Sequence, residues 1–290
     1  MHVPFSFKIL VLVLFFSGSG FSSLTSAQEP LRFAPLPMVP ERLLKHDFES
    51  FAEYLSQQTN RPVELVLEKS YRKLLDSLLA DKIDLAYLGP LPFVFLTQQD
   101  PSFVPIVRFV DKSGRSTYTC CLADFRGDHI NVDSDRPLLV SLPQPYSTCG
   151  YLMSEKLLNR HHYSLSNGGY IYSGNHSESA LDVLRGVTQI AGLKTSIADK
   201  YHHLGLQVIE QSPPLPGFVL IANPRTVPQE LIKTIHSRLL ALDPQHTTKD
   251  AETTHLWGEG IRYGATEVDT SDYDVIRDML QQIAIPGIDP

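Results

Sequence analysis

Ile83-Asp84-Leu85-Ala86-Tyr87-Leu88-Gly89-Pro90 is a short apolar run halted by a Gly-Pro turn. A run of this length bounded by turn residues reads as a buried strand, here over 83–87, ending where the chain turns. Upstream, Leu74, Leu75, Leu78 and Leu79 line one side of a predicted helix over 71–80. Residues 63–67 read as a strand. Leu44, Phe48, Phe51, Ala52 and Leu55 have helical spacing within 41–58, and 31–34 is a short strand. Downstream come a short helix over 92–97 and a strand over 104–110. This βαβαβ rhythm predicts an α/β unit with a mostly parallel sheet and helices on both faces.

The rhythm then repeats. Residues 117–123 read as one long strand, followed by a polar segment over 124–137. A strand over 138–142 leads through Pro143-Gln144-Pro145-Tyr146 into a helix from about 148 to 159. Further strands are expected at 170–172, 190–193 and 206–210, with a helix over 178–185. Pro213-Pro214-Leu215-Pro216-Gly217 interrupts the pattern. A strand over 218–222 and helices over 228–242, 247–256 and 273–285 follow. Two α/β units joined by two chain crossings, near 119–124 and 216–222, imply a two-lobed protein. Residues 28–121 and 219–290 would form lobe 1 and 122–218 lobe 2. Ligands of open α/β sheets bind beyond the carboxyl ends of the strands, which places the site between the lobes.

With 42% hydrophobic and 20% charged residues, the 290-residue chain has the composition of a globular protein rather than a disordered one. Its net charge of −7, without basic blocks, argues against nucleic acid as a partner. One positive pocket could still hold a small anion. At the N-terminus, Lys8 precedes the apolar run 9–16, and Thr25-Ser26-Ala27 is a small-residue cleavage site. This reads as a secretory signal peptide over 1–27; the alternative is an uncleaved anchor. The expected destination is the periplasm. Three cysteines, Cys120, Cys121 and Cys149, then lie in an oxidising compartment. Adjacent cysteines rarely bridge each other, and an odd count leaves at least one thiol free. No metal site and no cofactor is expected. The pairs His161-His162 and His202-His203 are better read as solvent-facing.

Three strand-to-helix junctions carry candidate chemistry. In Ser147-Thr148-Cys149-Gly150, two hydroxyls and the free N–H groups of a helix start can cap the helix or hold an anion. Tyr87, at a strand's carboxyl end, either presents its hydroxyl to a ligand or packs in the core. In Ser173-Gly174-Asn175-His176, His176 could donate to an anion as imidazolium or as the neutral tautomer, or simply face solvent.

These segments, with Arg61-Pro62-Val63-Glu64-Leu65, Ser70-Tyr71, Pro92, Gly114-Arg115-Ser116-Thr117-Tyr118, Ser212 to Gly217 and Asp272-Tyr273, occur in one order along the chain. Together they resemble the periplasmic phosphonate/phosphite/phosphate-binding receptors of ABC transporters, a branch of the type 2 periplasmic binding proteins. The resemblance implies two lobes closing over an oxyanion. It assigns ligand contacts to Ser147, Thr148, His176 and Tyr87, with Tyr71 and the Leu36-Pro37 turn as weaker candidates. Two departures stand out. Cys149 replaces a hydroxyl residue; its backbone N–H could still serve, and its side chain is expected to be a small buried apolar group. Gln189 and Lys194 occupy two positions that are acidic in the family. If Lys194 faces the cleft, it favours a more negative ligand, because it cannot accept a hydrogen bond from an ammonium or a protonated oxyanion. Asp84 and Glu178 are other acidic candidates.

The expected function is therefore a non-catalytic, monomeric receptor that hands a small oxyanion to an ABC permease. A sensor protein docking on a receptor kinase would use the same cleft. A Cys149/His176 enzyme is a more remote reading.

Overall fold

The computed structural model describes residues 1–2, 28–128 and 137–288; nearly all of the expected signal peptide over 1–27 and most of the polar segment over 124–137 lie outside them. In chain order, the first lobe opens with β1 (Leu31–Pro35), α1 (Glu41–Thr59), β2 (Val63–Leu65), α2 (Tyr71–Leu79), β3 (Leu85–Leu88), α3 (Pro90–Gln99) and β4 (Val104–Phe109). The chain crosses through β5 (Thr117–Tyr118) and β6 (Cys120–Phe125). The second lobe adds β7 (Val140–Leu142), α4 (Met153–Asn159), α5 (Leu165–Gly168), β8 (Tyr170–Tyr172), α6 (His176–Leu184), β9 (Ile190–Lys194), α7 (Thr195–Tyr201) and β10 (Leu206–Gln211). The return runs through β11 (Leu215–Pro216) and β12 (Val219–Ala222). Helices α8 (Gln229–Leu240) and α9 (Thr248–Thr254), β13 (Ala265–Thr266) and α10 (Asp274–Gln282) complete the first lobe.

Local sequence explains most of these elements. In α1 the apolar residues recur at helical spacing and Leu44, Phe48, Phe51, Ala52 and Leu55 are all buried. Asn60, left-handed at φ 50°, ends that helix. Ser70 caps α2 by accepting a hydrogen bond from the Lys73 N–H. Every residue of β3 is buried, as expected of a strand with neighbours on both sides.

One sheet has the order β13-β4-β12-β3-β1-β2 and the other β10-β6-β9-β7-β8. β1 runs parallel to β2 and β3, and β7 parallel to β8 and β9. β12, β13 and β6 run antiparallel to their neighbours. The sheets are therefore mixed rather than mostly parallel, and the physical reason is the double crossing. β6 and β12 enter their sheets from the connecting segment and lie between strands that run the other way.

The expected strand over 117–123 is broken. β5 pairs with β11 as a separate two-stranded hinge, while β6 belongs to the second lobe's sheet from Cys120 onward. Cys120 and Cys121 thus fall on the second-lobe side, two residues earlier than the boundary read from the sequence. Gly217 lies so close to the first crossing that a Cβ there would meet the Ser116 carbonyl oxygen at 2.5 Å. No helix among the described residues is long and apolar enough to cross a membrane.

Gly192 shows how tightly the second lobe is packed. A Cβ at this β9 position would meet Ser154 Oγ at 1.8 Å and Leu142 Cδ2 at 3.0 Å. Gly192→Ala is expected to cost about 1–3 kcal/mol, by displacing α4 or forcing Ser154 off its rotamer. Denaturant unfolding measures this; an unchanged midpoint would mean that α4 yields freely.

Candidate functional site

A cavity of about 240 Å³, its mouth included, lies where the lobes meet the hinge. The second lobe contributes Ser147, Thr148, Cys149, His176 and Lys194. Leu36, Met38, Tyr71, Gly89 and Pro92 come from the first lobe, and Tyr118 and Phe218 from the two crossings.

The Ser147–Gly150 junction is not a regular helix start. Thr148–Leu152 winds as a wide turn in which Met153 N–H donates to the Thr148 carbonyl, and Gly150 departs from helical geometry at ψ −125°. α4 begins only at Met153. Among the described residues, the N–H groups of Thr148 and Cys149 have no acceptor. The Ser147 and Thr148 side chains are both buried. Thr148 Oγ1 accepts from the Leu91 N–H across the lobes at 3.0 Å. Because Pro90 and Pro92 carry no N–H, Leu91 offers the one free donor among the first three residues of α3.

Cys149 corrects the sequence reading. It is neither a thiol nor a simple apolar filler: it forms a disulfide with Cys120, with Cα atoms 5.1 Å apart. Nothing in the spacing singled out this pair, because the fold brings the start of β6 beneath the wide turn. The leftover free thiol is Cys121, whose side chain points to the opposite face of β6. Burial pushes its pKa up to about 12. The disulfide also removes the thiolate that the Cys149/His176 enzyme reading requires.

His176, the first residue of α6, is buried rather than solvent-facing. Its Nδ1 accepts from the Lys194 backbone N–H at 3.1 Å, so the ring proton sits on Nε2. Nε2–H donates to Ser147 Oγ at 3.3 Å. Burial and then the Lys194 charge lower its pKa to about 3, so the ring is neutral at pH 7.

Lys194 faces the cavity, which the sequence left open. Its Nζ lies 4.8 Å from the Phe218 ring centroid and 5.4 Å from that of Tyr118. Tyr71 lies in the cavity wall, fully buried. Its hydroxyl has no well-formed hydrogen bond, although Ser147 is close enough to offset slightly the burial that raises its pKa.

Tyr87 is elsewhere, contrary to its expected place in the cleft. Its ring stacks on Phe218 at 5.1 Å and packs against Phe48 and Phe109, and its hydroxyl donates to the Gly260 carbonyl. The reason is strand geometry: Tyr87 projects from a face of the sheet, not beyond the strand's end. It supports Phe218 from behind. Leu36 does line the cavity.

Neither acidic candidate faces the site. Asp84 is held by Arg32 through Nε, Nη2 and the backbone N–H; burial works to raise its pKa, but these hydrogen bonds outweigh it and hold it low. Glu178 pairs with Arg185 on the surface. Gln189 accepts from the Leu139 N–H. Sequence reasoning assigned no cavity role to Tyr118, Phe218, Met38, Gly89 or Pro92. The Gly89-Pro90 and Pro216-Gly217 turns were the available signals, since turns at strand ends mark the cleft. Among the described residues no cluster of three His, Cys, Asp or Glu side chains could hold a metal.

The family model "ABC transporter, phosphonate, periplasmic substrate-binding protein" matches residues 33–273. The "Phosphate-import protein PhnD" of Mycolicibacterium smegmatis is 22% identical over 288 residues, spanning 90% of this chain and 89% of that protein. PhnD1 of Prochlorococcus marinus in complex with methylphosphonate superposes with a TM-score of 0.75 at 17% identity, covering 87% of this chain and 97% of that one. A binding-protein component of an ABC phosphonate transporter from Pseudomonas aeruginosa gives 0.74 at 18% identity, covering 87% and 86%.

Proposed function

This chain belongs to the family of periplasmic substrate-binding proteins of phosphonate ABC transporters, and we propose that its own ligand is a small phosphorus oxyanion gripped between the lobes. The coarser role follows from membership: an extracytoplasmic solute-binding protein that serves a membrane permease. The oxyanion reading rests on one observation above all. The polar wall of the cavity consists of hydroxyls and one ammonium, beside a neutral imidazole whose N–H is given to Ser147, with no carboxylate among its lining residues. Such a wall offers hydrogen-bond donors to each oxygen of a tetrahedral anion, and each charge-assisted bond is worth about 1.5–3 kcal/mol.

Ligand capture would work by closure. Thr148–Leu91, the Tyr71 N–H to Gln144 Oε1 bond at 2.9 Å and the His176 N–H to Met38 carbonyl bond at 3.3 Å all cross between lobes. A ligand touching both walls adds to these contacts and shifts the population toward the closed form. The N-terminal segment, cut after Ala27 in this proposal, would deliver the protein to the periplasm.

Titration calorimetry with phosphate, phosphite and methylphosphonate is expected to show saturable one-site binding of at least one of them. A folded protein that binds none of the three would remove this reading.

A further inference from the structure

Lys194 is the one charged group in the cavity wall, and its position is fixed from both ends. Its backbone N–H is held by His176 Nδ1, and its Nζ is sandwiched beside the Phe218 and Tyr118 rings. The groups that act on it come from four elements. Lys200 on α7 repels it; Glu259, after α9, and Asp111, after β4, attract it; His176 on α6 is neutral. Neither acid is its counter-ion. Glu259 lies 4.0 Å from Lys200, and Asp111 is occupied by Ser113 and by Arg115. Among the described residues Lys194 enters no ion pair. Burial first, and Lys200 second, lower its pKa to about 8, which leaves the ammonium largely charged at neutral pH. The aromatic faces offset part of the cost of holding an unpaired charge there.

The hydroxyls beside it are committed in direction. Ser147 Oγ accepts from His176 Nε2–H, and Thr148 Oγ1 accepts from the Leu91 N–H. Each hydroxyl hydrogen is left to donate, either to the neighbouring phenol (Tyr71 beside Ser147, Tyr118 beside Thr148) or to an entering anion. The wall supplies one full positive charge and several donors, and no carboxylate to meet a cationic arm of the ligand.

We propose that Lys194 is the specificity-determining residue of this cavity: it selects doubly charged oxyanions over singly charged ones of the same shape, and excludes ligands that carry an ammonium group. This deepens the oxyanion reading and rests on it. The ammonium lacks a counter-charge within the protein, so a ligand bearing more negative charge gains more on entry. A ligand with its own ammonium meets a like charge and no acceptor of matching sign.

The test uses methylphosphonate, methanesulfonate and 2-aminoethylphosphonate in calorimetry at about pH 7.5, where Lys194 is still mostly protonated. Methanesulfonate copies the shape of the methylphosphonate dianion with one charge fewer. The wild-type protein is expected to prefer methylphosphonate over methanesulfonate by roughly tenfold or more, and over 2-aminoethylphosphonate by a similar factor. Lys194→Met should bring the methylphosphonate/methanesulfonate ratio toward one, whereas Lys194→Arg, which keeps the charge, should retain the preference. Equal weakening of both ligands by Lys194→Met, or tight binding of 2-aminoethylphosphonate to the wild type, would overturn the proposal while leaving an oxyanion receptor. Binding of none of the three to the folded wild type would overturn the oxyanion reading itself, and this inference with it. Thermal melts of both variants confirm folding, since removing an unpaired, partly buried charge should not destabilise the apo protein.

Discussion

Replacing Cys120 and Cys149 together by Ala is expected to lower the unfolding free energy by about 3–4 kcal/mol. The bond closes a loop of sequence separation 29, and chain-entropy arguments give roughly this figure for a loop of that length. In a protein of this size the melting temperature should fall by about 5–7 °C. The bond also anchors the wide turn: Cys149 is its second residue, and its free N–H lies beside that of Thr148. Reductant should therefore lower both the melting temperature and the affinity for the bound oxyanion, and have no further effect on the double-alanine variant. An unchanged melting temperature would show that the surrounding packing alone sets the turn.

His176→Gln is expected to make the protein less sensitive to acid. In the folded protein His176 titrates near pH 3, whereas an exposed histidine titrates near 6.5. Between those values the unfolded chain holds one more proton than the folded one, so stability falls as the pH drops through this window. Fully integrated, the loss approaches roughly 5 kcal/mol near pH 3. Gln does not titrate there, and its amide can copy both the acceptor toward the Lys194 N–H and the donor toward Ser147. Denaturation midpoints measured from pH 7 to pH 4 should thus fall more steeply for the wild type than for the variant. Equal slopes would mean that the ring is solvated. His176→Ala loses donor and acceptor alike, and should weaken oxyanion binding by about 10–100-fold.

Much of this molecule is legible residue by residue. The apolar spacing of α1 and α2, the run that becomes β3 and the Ser70 cap are all local signals. Tyr87 marks where such reading stops. Its strand is plain from the sequence, yet whether its side chain meets the cleft or Phe218 depends on which face α1 covers. Cysteine pairing is similar, because Cys120 and Cys121 look equivalent until strand alternation turns one toward Cys149 and the other away. For Lys194 the sequence supplied an unexpected residue type but no direction.

By itself, then, the order of apolar runs, turns and caps determined two α/β units, their two crossings and a hydroxyl-rich strand-to-helix junction, since each is written in the periodicity of neighbouring residues. What the cavity contains was decided only when residues from 36 to 218 were brought together. The direction of each donor, the disulfide beneath the turn and the unpaired ammonium depend on contacts between segments far apart in the chain, and local periodicity carries no information about those.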